Sequence, residues 1–274
     1  MGVRLLNLEQ GGSSSGSLTE WIALLQSLWT AQIVTPAGIR YHQLTHGEAR
    51  EQMEGAAASL RAFPLETLTG TAERTAFWIN VYNLLVVHGI TVEGKGEHDR
   101  LDRRFYRRIG YRIGTEIWTP ERIEHGVLRG NRRPPGRLRR RALSSKLAQR
   151  YALLELDPRL HAALMRGVRS GPPLRLYTPE GLDDQLEAAT VEFLRRETQI
   201  VPHERLVITT PLVRWYRSDF GRSRADVIRF LLLRLGPQDQ AFLREHLLHV
   251  RLAYRRYDWN VNALPEKGAI RGED

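Results

Sequence analysis

The sequence predicts an α+β fold, built as a helix-rich single domain with a small, mainly antiparallel sheet. The chain has 274 residues, of which 42% are hydrophobic and 26% charged, so it can bury a sizeable core. Segments with helical spacing outnumber short segments rich in β-branched and aromatic residues. The strands also do not alternate regularly with helices, which argues against a doubly wound parallel sheet.

The predicted elements begin after a flexible N-terminal segment. Residues 1–16 are expected to be flexible because they end in the Gly/Ser-rich stretch 11–16, and Ser17 or Thr19 is expected to cap the first helix. Another helix begins at Thr119, and further helices are predicted over residues 53–62, 72–90, 158–164, 181–195, 225–235 and 238–248. A hairpin is predicted over 105–118, with short strands over 174–177, 206–209 and 250–257. The domain then spans residues 17–264, followed by a frayed tail over 265–274.

Positive charge is concentrated in one segment of the chain. The net charge is +10, yet residues 100–150 carry 15 Arg and one Lys against four acidic residues, a net charge of +12. Within it, residues 129–141 form a stretch interrupted by Gly and Pro that holds seven Arg and no acidic residue; we call this stretch the basic loop. Charges at this density repel, so the loop is expected to be extended unless an anion neutralises it.

The arginines of the basic loop are the predicted contacts to nucleic-acid phosphates. They are Arg129, Arg132, Arg133, Arg137, Arg139, Arg140 and Arg141. The aromatic residues Tyr106, Tyr111 and Trp118 lie close by in sequence, where they are expected either to stack on bases or to belong to the core. The alternative for the loop is a solvated segment without a partner.

Several classes of protein are excluded or disfavoured. Because the chain has no Cys, it has no disulfide framework, no Cys-ligated metal and no thiol nucleophile. The N-terminal residues lack the apolar region of a signal peptide, and we find no run of 18 apolar residues, so a cytoplasmic protein without a membrane segment is expected. Dinucleotide-binding, P-loop, HExxH and EF-hand patterns do not occur in the sequence, and no organic cofactor is implied.

An ordered set of motifs resembles the family catalogued as domain of unknown function 547, over roughly residues 65 to 262. The matching segments are Ala76–Leu84, Ile123–Arg129, Asp157–Leu164 with Ser170–Tyr177, Trp215–Tyr216 with Asp219–Phe220, and Tyr257–Asn260. The resemblance implies a helix-rich α+β domain with a small sheet. It also implies a thiol-hydrolase-like site, because members usually carry Cys in a Ser-Cys-Pro-Pro motif and His in a Glu-His motif.

This chain departs from the family at the two positions where Cys is expected. Gly171 stands in the Ser-Cys-Pro-Pro motif, and Arg166 stands where many members carry an upstream Cys. A thiolate is the nucleophile in that chemistry, so a thiol-hydrolase mechanism is excluded for this member. Ser170 is a poor substitute, because the sequence before it lacks the spacing of a nucleophile elbow and a Ser before Gly-Pro-Pro is more typical of a turn.

The polar residues within the matching motifs are the candidate site residues. Catalytic roles are assigned to His125, Glu124 and His161, a polar cleft to Asn80, Tyr82, Asn83 and Ser170, and weak metal binding to Asp157, Asp219 and Asp258. On an α-helix Glu124 and His125 diverge by about 100°, so only one of them is expected to face a given site.

Structural roles are the alternative for most of these candidates. Asn80 and Asn83 share one helix face and are expected either to bond backbone groups or to line a cleft. Asp157 is expected to cap the helix that follows it. Asp219 and Asp258 have Arg214 and Arg256 nearby in sequence as alternative ion-pair partners.

Two functions compete on this evidence. The first is a basic, sequence-nonspecific nucleic-acid-binding protein for DNA or RNA, extending to a phosphodiesterase that uses Mg²⁺ or Ca²⁺ to activate water. The second is a hydrolase-like scaffold that has lost its Cys and binds a peptide or protein partner. A purely structural use, with the basic charge serving solubility, is a third reading.

Overall fold

The chain folds into many short helices around one long central helix, with three small sheets among the described residues. The computed structural model describes residues 2–8, 16–30, 32–136 and 141–265. About half of it is helical and 12% is strand, and most strand pairs are antiparallel, which confirms the predicted α+β class. One continuous hydrophobic cluster extends in sequence from Trp21 to Val261.

Eleven α-helices are formed by the described residues. They are α1 (Leu18–Leu28), α2 (Gly47–Ser59), α3 (Thr71–Val92), α4 (Phe105–Arg108), α5 (Ser145–Tyr151), α6 (Leu160–Ala163), α7 (Leu182–Glu197), α8 (Pro211–Trp215), α9 (Arg217–Phe220), α10 (Arg224–Leu232) and α11 (Pro237–His246). Ser17 caps α1 as predicted, in a reciprocal capping box with Glu20. The structure confirms, with shifted ends, the helices predicted near 53–62, 72–90, 181–195, 225–235 and 238–248.

The central helix α3 organises the core. Its start is fixed by Glu73, whose carboxylate accepts the backbone N–H groups of Thr69 and Gly70 at 3.0 and 2.8 Å. Every residue from Thr75 to Thr91 is buried, since α3 is surrounded by other elements on all sides. By length and composition alone α3 also resembles a membrane-spanning helix; 94% of its most apolar window is buried inside the protein.

Eight strands form the sheets among the described residues. They are β1 (Arg4–Leu5), β2 (Val34–Thr35), β3 (Gly38–Ile39), β4 (Ile109–Ile113), β5 (Glu116–Trp118), β6 (Gln199–Val201), β7 (Leu206–Thr209) and β8 (Arg251–Tyr254). The sheet orders are β1-β4-β5, β2-β3 and β6-β7-β8. β4 and β5 form an antiparallel hairpin that pairs Tyr111 with Trp118, whereas β8 runs parallel to β7.

The structure differs from three local predictions. In the segment expected to be flexible, Arg4–Leu5 form β1, which pairs with β4, and the buried side chain of Asn7 donates to the carbonyls of Ala57 and Arg112. Residues 174–177 form no strand, and the Tyr177 backbone bonds to the side chain of Asn80 rather than to a neighbouring strand. Phe105 belongs to helix α4 instead of the hairpin. Residues 9–15 of the expected linker and 266–274 of the expected tail lie outside the described residues.

The helix predicted to start at Thr119 is a π-helix over Arg122–Leu128. In a π-helix each backbone N–H donates to the carbonyl five residues earlier. Here the Arg129 N–H donates to the Glu124 carbonyl at 2.9 Å. Gly126 lies against Leu143, and a Cβ added to this glycine would come within 2.5 Å of Leu143 Cγ. A π-helix is wider than an α-helix and turns less per residue, which alters the directions of the side chains that it carries.

Candidate functional site

A cavity of about 300 Å³ opens beside the π-helix. Its lining comes from segments far apart in sequence: Arg103, Tyr106, Arg107, Glu121, Glu124, His125, Pro134, Pro135, Gly136, Arg166, Trp215, Tyr216 and Trp259. Glu124 and His125 both line it, contrary to the expectation that only one of them faces a given site. Glu121, Glu124 and His125 have the spacing i, i+3 and i+4, which defines one face of a helix, and a cavity that covers this face contacts both residues.

Glu124 is held in a buried ion pair with Arg166. The two guanidinium Nη atoms donate to the two carboxylate oxygens at 3.0 and 3.2 Å, and both side chains are more than 90% buried. Burial opposes the charged carboxylate, but the adjacent guanidinium outweighs it and holds the pKa of Glu124 well below its usual range. Glu124 is therefore an ionised partner of Arg166 and is a poor proton donor at neutral pH.

A second buried ion pair joins Asp219 to Arg129. Arg129 donates through Nε and Nη2 to the two oxygens of Asp219 at 2.5 and 2.9 Å. The carboxylate also accepts from His161 Nε2 at 2.9 Å and from Arg132 at 3.2 Å. Burial disfavours the charge, yet the bonds from His161 and Arg129 hold the pKa of Asp219 well below its usual range.

Arg129 also determines which nitrogen of His125 carries the proton. Arg129 Nη1 lies 2.9 Å from His125 Nδ1, and a guanidinium can only donate, so Nδ1 is the acceptor and the proton resides on Nε2. Burial, assisted by Arg129, lowers the pKa of His125 to about 4, which keeps the ring neutral at pH 7. In this state the free position of the ring is an N–H donor, whereas the sequence suggested a general base.

The ring of Tyr216 lies between the two ion pairs. The guanidinium carbons of Arg129 and Arg166 lie 4.9 and 5.2 Å from its centroid, within the range of cation–π attraction. The His161 ring lies 4.1 Å away and the His125 ring 6.1 Å away. Tyr216 thus brings all three predicted catalytic residues, Glu124, His125 and His161, into one network, although His161 does not line the cavity.

Several buried polar atoms around this network have no hydrogen-bond partner among the described residues. They are Tyr82 Oη, Tyr257 Oη, Arg166 Nε and His161 Nδ1. Burial raises the pKa of Tyr82 far above its usual range, so its hydroxyl remains protonated. An unpaired buried polar atom costs stability, and such atoms concentrate where proteins bind something or accommodate water.

The outer part of the cavity is aromatic and basic. Trp215 and Trp259 are partly buried and stack with centroids 5.7 Å apart. The Arg103 guanidinium lies 5.7 Å from the Trp215 centroid, and Arg103 forms no ion pair with the described residues. Arg107 faces Glu121 at 3.9 Å. Of the three aromatics predicted to stack on bases, only Tyr106 lines the cavity, because Tyr111 and Trp118 are completely buried in the core.

The predicted polar cleft does not form around Asn80 and Asn83. Asn80 exchanges two hydrogen bonds with the backbone of Tyr177, at 2.7 and 3.1 Å. Asn83 likewise donates to the Ala163 carbonyl and accepts from Met165 N–H. Both amides bind the backbone of neighbouring segments to α3, which is the structural alternative. The Ser170 hydroxyl accepts from the backbone N–H of Asp258 and also lies outside the cavity lining.

The three aspartates predicted to bind metal are dispersed. Asp157 accepts from the backbone and side chain of Arg159, Asp258 accepts from the backbone of Asn260, and Asp219 is in the buried network. No group of three His, Asp or Glu side chains suited to a metal ion occurs within the described ranges. The expected partners Arg214 and Arg256 are replaced at Asp219 by Arg129 and Arg132.

The basic loop contributes to the cavity at its edge. Pro134, Pro135 and Gly136 line the cavity, while Arg132, Arg133 and Arg141 are exposed. Arg129 is instead buried against Asp219, so its charge is neutralised inside the protein. Arg137, Arg139 and Arg140 lie outside the described residues.

Sequence reasoning missed the residues that give the cavity its character. Trp215 and Trp259 were seen only as parts of motifs, and Arg103 was one arginine among many in the basic segment. Arg166 was noted as a departure from a Cys position; the structure places it beside His125 in the cavity, whereas Gly171 lies outside the lining. The helical spacing of Trp215 and Asp219 gave no signal that both meet residues 87 to 112 positions earlier.

One comparison with known proteins gave a match. Residues 65–194 match the family described as "Protein of unknown function, DUF547", and this match supports membership in that family. The matched segment contains α3, the π-helix and Arg166, and it ends within α7 before Tyr216 and Trp259. The comparisons with curated proteins and with solved structures gave no match.

Proposed function

We propose that the protein binds single-stranded nucleic acid without sequence preference. The observation that carries this proposal is that the most basic segment of the chain forms the rim of an aromatic cavity. Arg103, Arg107 and the loop residues Pro134–Gly136 all come from the segment with a net charge of +12, and all line the cavity. Phosphates are attracted by the arginines, and aromatic faces stack on any base.

Arg103 is the cation best placed to contact a phosphate. It is exposed, has no ion-pair partner among the described residues, and lies over Trp215 at the outer part of the cavity. The buried cations Arg129 and Arg166 are each neutralised by a carboxylate, so they fix the inner wall instead of attracting a ligand from solution. Single strands are favoured over duplexes because unpaired bases expose the flat faces that Trp259 and Tyr106 can contact.

The test is a titration of a labelled 20-nucleotide single strand, as DNA and as RNA, and of the matching duplex, across a salt series. We expect the single strands to bind more tightly and the affinity to fall steeply with salt. Arg103→Ala should weaken binding and reduce the slope of log K against log salt by about 0.7, the contribution of one phosphate contact on a single strand.

Arg244→Ala is the matched control, because Arg244 is exposed on α11, outside the basic segment. It should leave the affinity within about two-fold and the slope unchanged. Failure of the wild-type protein to bind either strand at low salt contradicts the proposal and favours the alternative of a peptide or protein partner.

Metal-dependent cleavage by the same protein stays a prediction, as do Mg²⁺ or Ca²⁺ binding and a cytoplasmic location. The first is checked by incubating the same strands with the protein in Mg²⁺, in Ca²⁺ and in EDTA. Cleavage that EDTA abolishes would extend the proposed binding function to a nuclease.

A further inference from the structure

The cavity is small and has flat walls. Its volume of about 300 Å³ is at the lower end of the range of small-molecule pockets, so it admits a group of the size of one nucleoside but no double helix. Trp259, Trp215 and Tyr106 contribute aromatic faces, and Pro134 and Pro135 contribute rigid apolar surface. Such a lining suits a planar ring better than a flexible aliphatic chain.

Trp259 is held rigidly at the edge of this cavity. Its carbonyl accepts the backbone N–H of Leu101 at 3.1 Å, and its indole contacts the rings of Trp215 and Tyr257 with centroids 5.7 and 4.8 Å away. Leu101 precedes α4, so the same segment that carries Arg103 also positions Trp259. A fixed aromatic ring loses little conformational entropy when a second ring stacks on it.

The inner part of the cavity offers a fixed hydrogen-bond donor. Asp219 orients Arg129, Arg129 occupies Nδ1 of His125, and the proton of the imidazole is therefore on Nε2. The ring is neutral at pH 7, so it donates without adding a charge. Its counterpart on a ligand is an acceptor such as a ring nitrogen or a carbonyl oxygen of a base.

We infer that the cavity receives one unpaired nucleotide of the bound strand. The base stacks on Trp259 and accepts a hydrogen bond from His125 Nε2–H, while Arg103 contacts the adjoining phosphate at the rim. This inference rests on the proposed function and adds where a base enters and what holds it. Arg129 and Asp219 act as positioning residues, because they hold His125 without reaching the base.

The test compares two 9-nucleotide strands of equal charge, an oligothymidylate and an oligomer of abasic deoxyribose phosphates. The wild-type protein should bind the oligothymidylate about ten-fold more tightly at the same salt concentration, since one stacked base contributes roughly 1–3 kcal/mol. Trp259→Leu should remove this preference without changing the affinity for the abasic strand, and Trp259→Phe should restore most of it. Trp29→Leu is the matched control, because Trp29 is also partly buried but lies outside the cavity lining.

A second pair of variants tests the donor. His125→Leu should reduce the preference for the oligothymidylate, and His125→Gln, which keeps an N–H group, should retain part of it. Equal affinity of the wild-type protein for the two strands overturns the inference but leaves the proposed function intact. Absence of binding to both strands contradicts the proposed function, and the inference with it.

Discussion

At the scale of single residues, each buried carboxylate of the network is stabilised by an ion pair with a buried arginine. Glu124 with Arg166 and Asp219 with Arg129 place four ionised side chains in the interior, each less than 10% exposed. Their desolvation is offset only while both partners are present, because an unpartnered buried charge is far more costly than an unpartnered exposed one. The sequence offered Glu124, Arg129 and Asp219 as candidates for catalysis or binding, whereas the structure uses most of their bonding capacity internally.

Asp219→Asn should therefore destabilise the protein strongly. The change leaves the guanidinium of Arg129 buried without its counter-charge, and losses of about 3–5 kcal/mol are usual for such a change. The measurement is the free energy of unfolding in urea. Asp184→Asn, at an exposed carboxylate in the first turn of α7, is the matched control and should lower the free energy by less than about 1 kcal/mol. A loss at Asp219 no larger than that of the control would show that Arg129 escapes to solvent.

Arg166 offers a double-mutant test of the other ion pair. Arg166→Met alone leaves Glu124 buried and unpaired, and it should cost about 3–5 kcal/mol. The double variant Arg166→Met with Glu124→Gln removes both charges and should recover at least half of this loss. Urea unfolding of the two single variants and the double variant gives the coupling energy. Additive losses would contradict the geometry, in which the two side chains share two hydrogen bonds.

At the scale of elements, the π-helix is the feature that shapes the cavity. It was predicted as an ordinary helix because Pro120 and Glu121 give the same starting signal for either form. Gly126 lies close to Leu143, which is 17 positions away, so packing at this turn involves a residue that local spacing does not reveal. The start of this helix was thus readable from the sequence, while its number of residues per turn was not.

Gly126→Ala should destabilise the π-helix by about 1–3 kcal/mol, because its methyl group would overlap the side chain of Leu143. Combining it with Leu143→Ala makes room for the methyl group, so the double variant should be more stable than the sum of the single losses predicts. Thermal unfolding of the three variants measures both effects. Gly55→Ala on α2, where nothing lies within 4 Å of an added Cβ, is the matched control and should be neutral or stabilising.

The contact of α3 with β4 makes the stability depend on pH. His88 on α3 is buried, its Nδ1 lies 3.0 Å from the hydroxyl of Tyr111, and burial lowers the pKa of His88 to about 4. A histidine whose pKa is lower in the folded protein stabilises the fold fully above its unfolded pKa near 6.5, and this contribution is lost as the pH falls towards 4.

We therefore expect the free energy of unfolding to decrease between pH 6.5 and 4, with up to about 3 kcal/mol lost at His88. His125 has a similarly lowered pKa and should add to this decrease. His88→Gln removes one titrating group, so its stability should vary less over this range than that of the wild-type protein. The exposed His203→Gln is the control and should follow the wild-type curve. Parallel curves for all three proteins would show that folding does not lower the pKa of His88.

At the scale of the whole molecule, the sequence predicted the fold class and the family but not the assembly of the cavity. Local signals located α1, α3 and β7, because capping and apolar spacing are properties of neighbouring residues. The cavity instead depends on contacts such as Arg129 with Asp219, which are 90 residues apart. The sequence around Asp219 does not indicate whether Arg129 or the nearer Arg214 is its ion-pair partner. The partner is determined by how the distant segments pack in the folded chain.

The paired buried charges have a consequence for how this family can diverge. A substitution at position 166 or 129 leaves a destabilised intermediate unless position 124 or 219 changes with it. A relative that carries Cys at position 166 and keeps Glu at position 124 must therefore stabilise that carboxylate in another way, with water or with another cation. A member with a small residue at 166 would have a deeper cavity and an unoccupied acid beside the histidine. Substitutions at these four positions during evolution would thus change both the ligand that the cavity can hold and the charge that is buried in the interior.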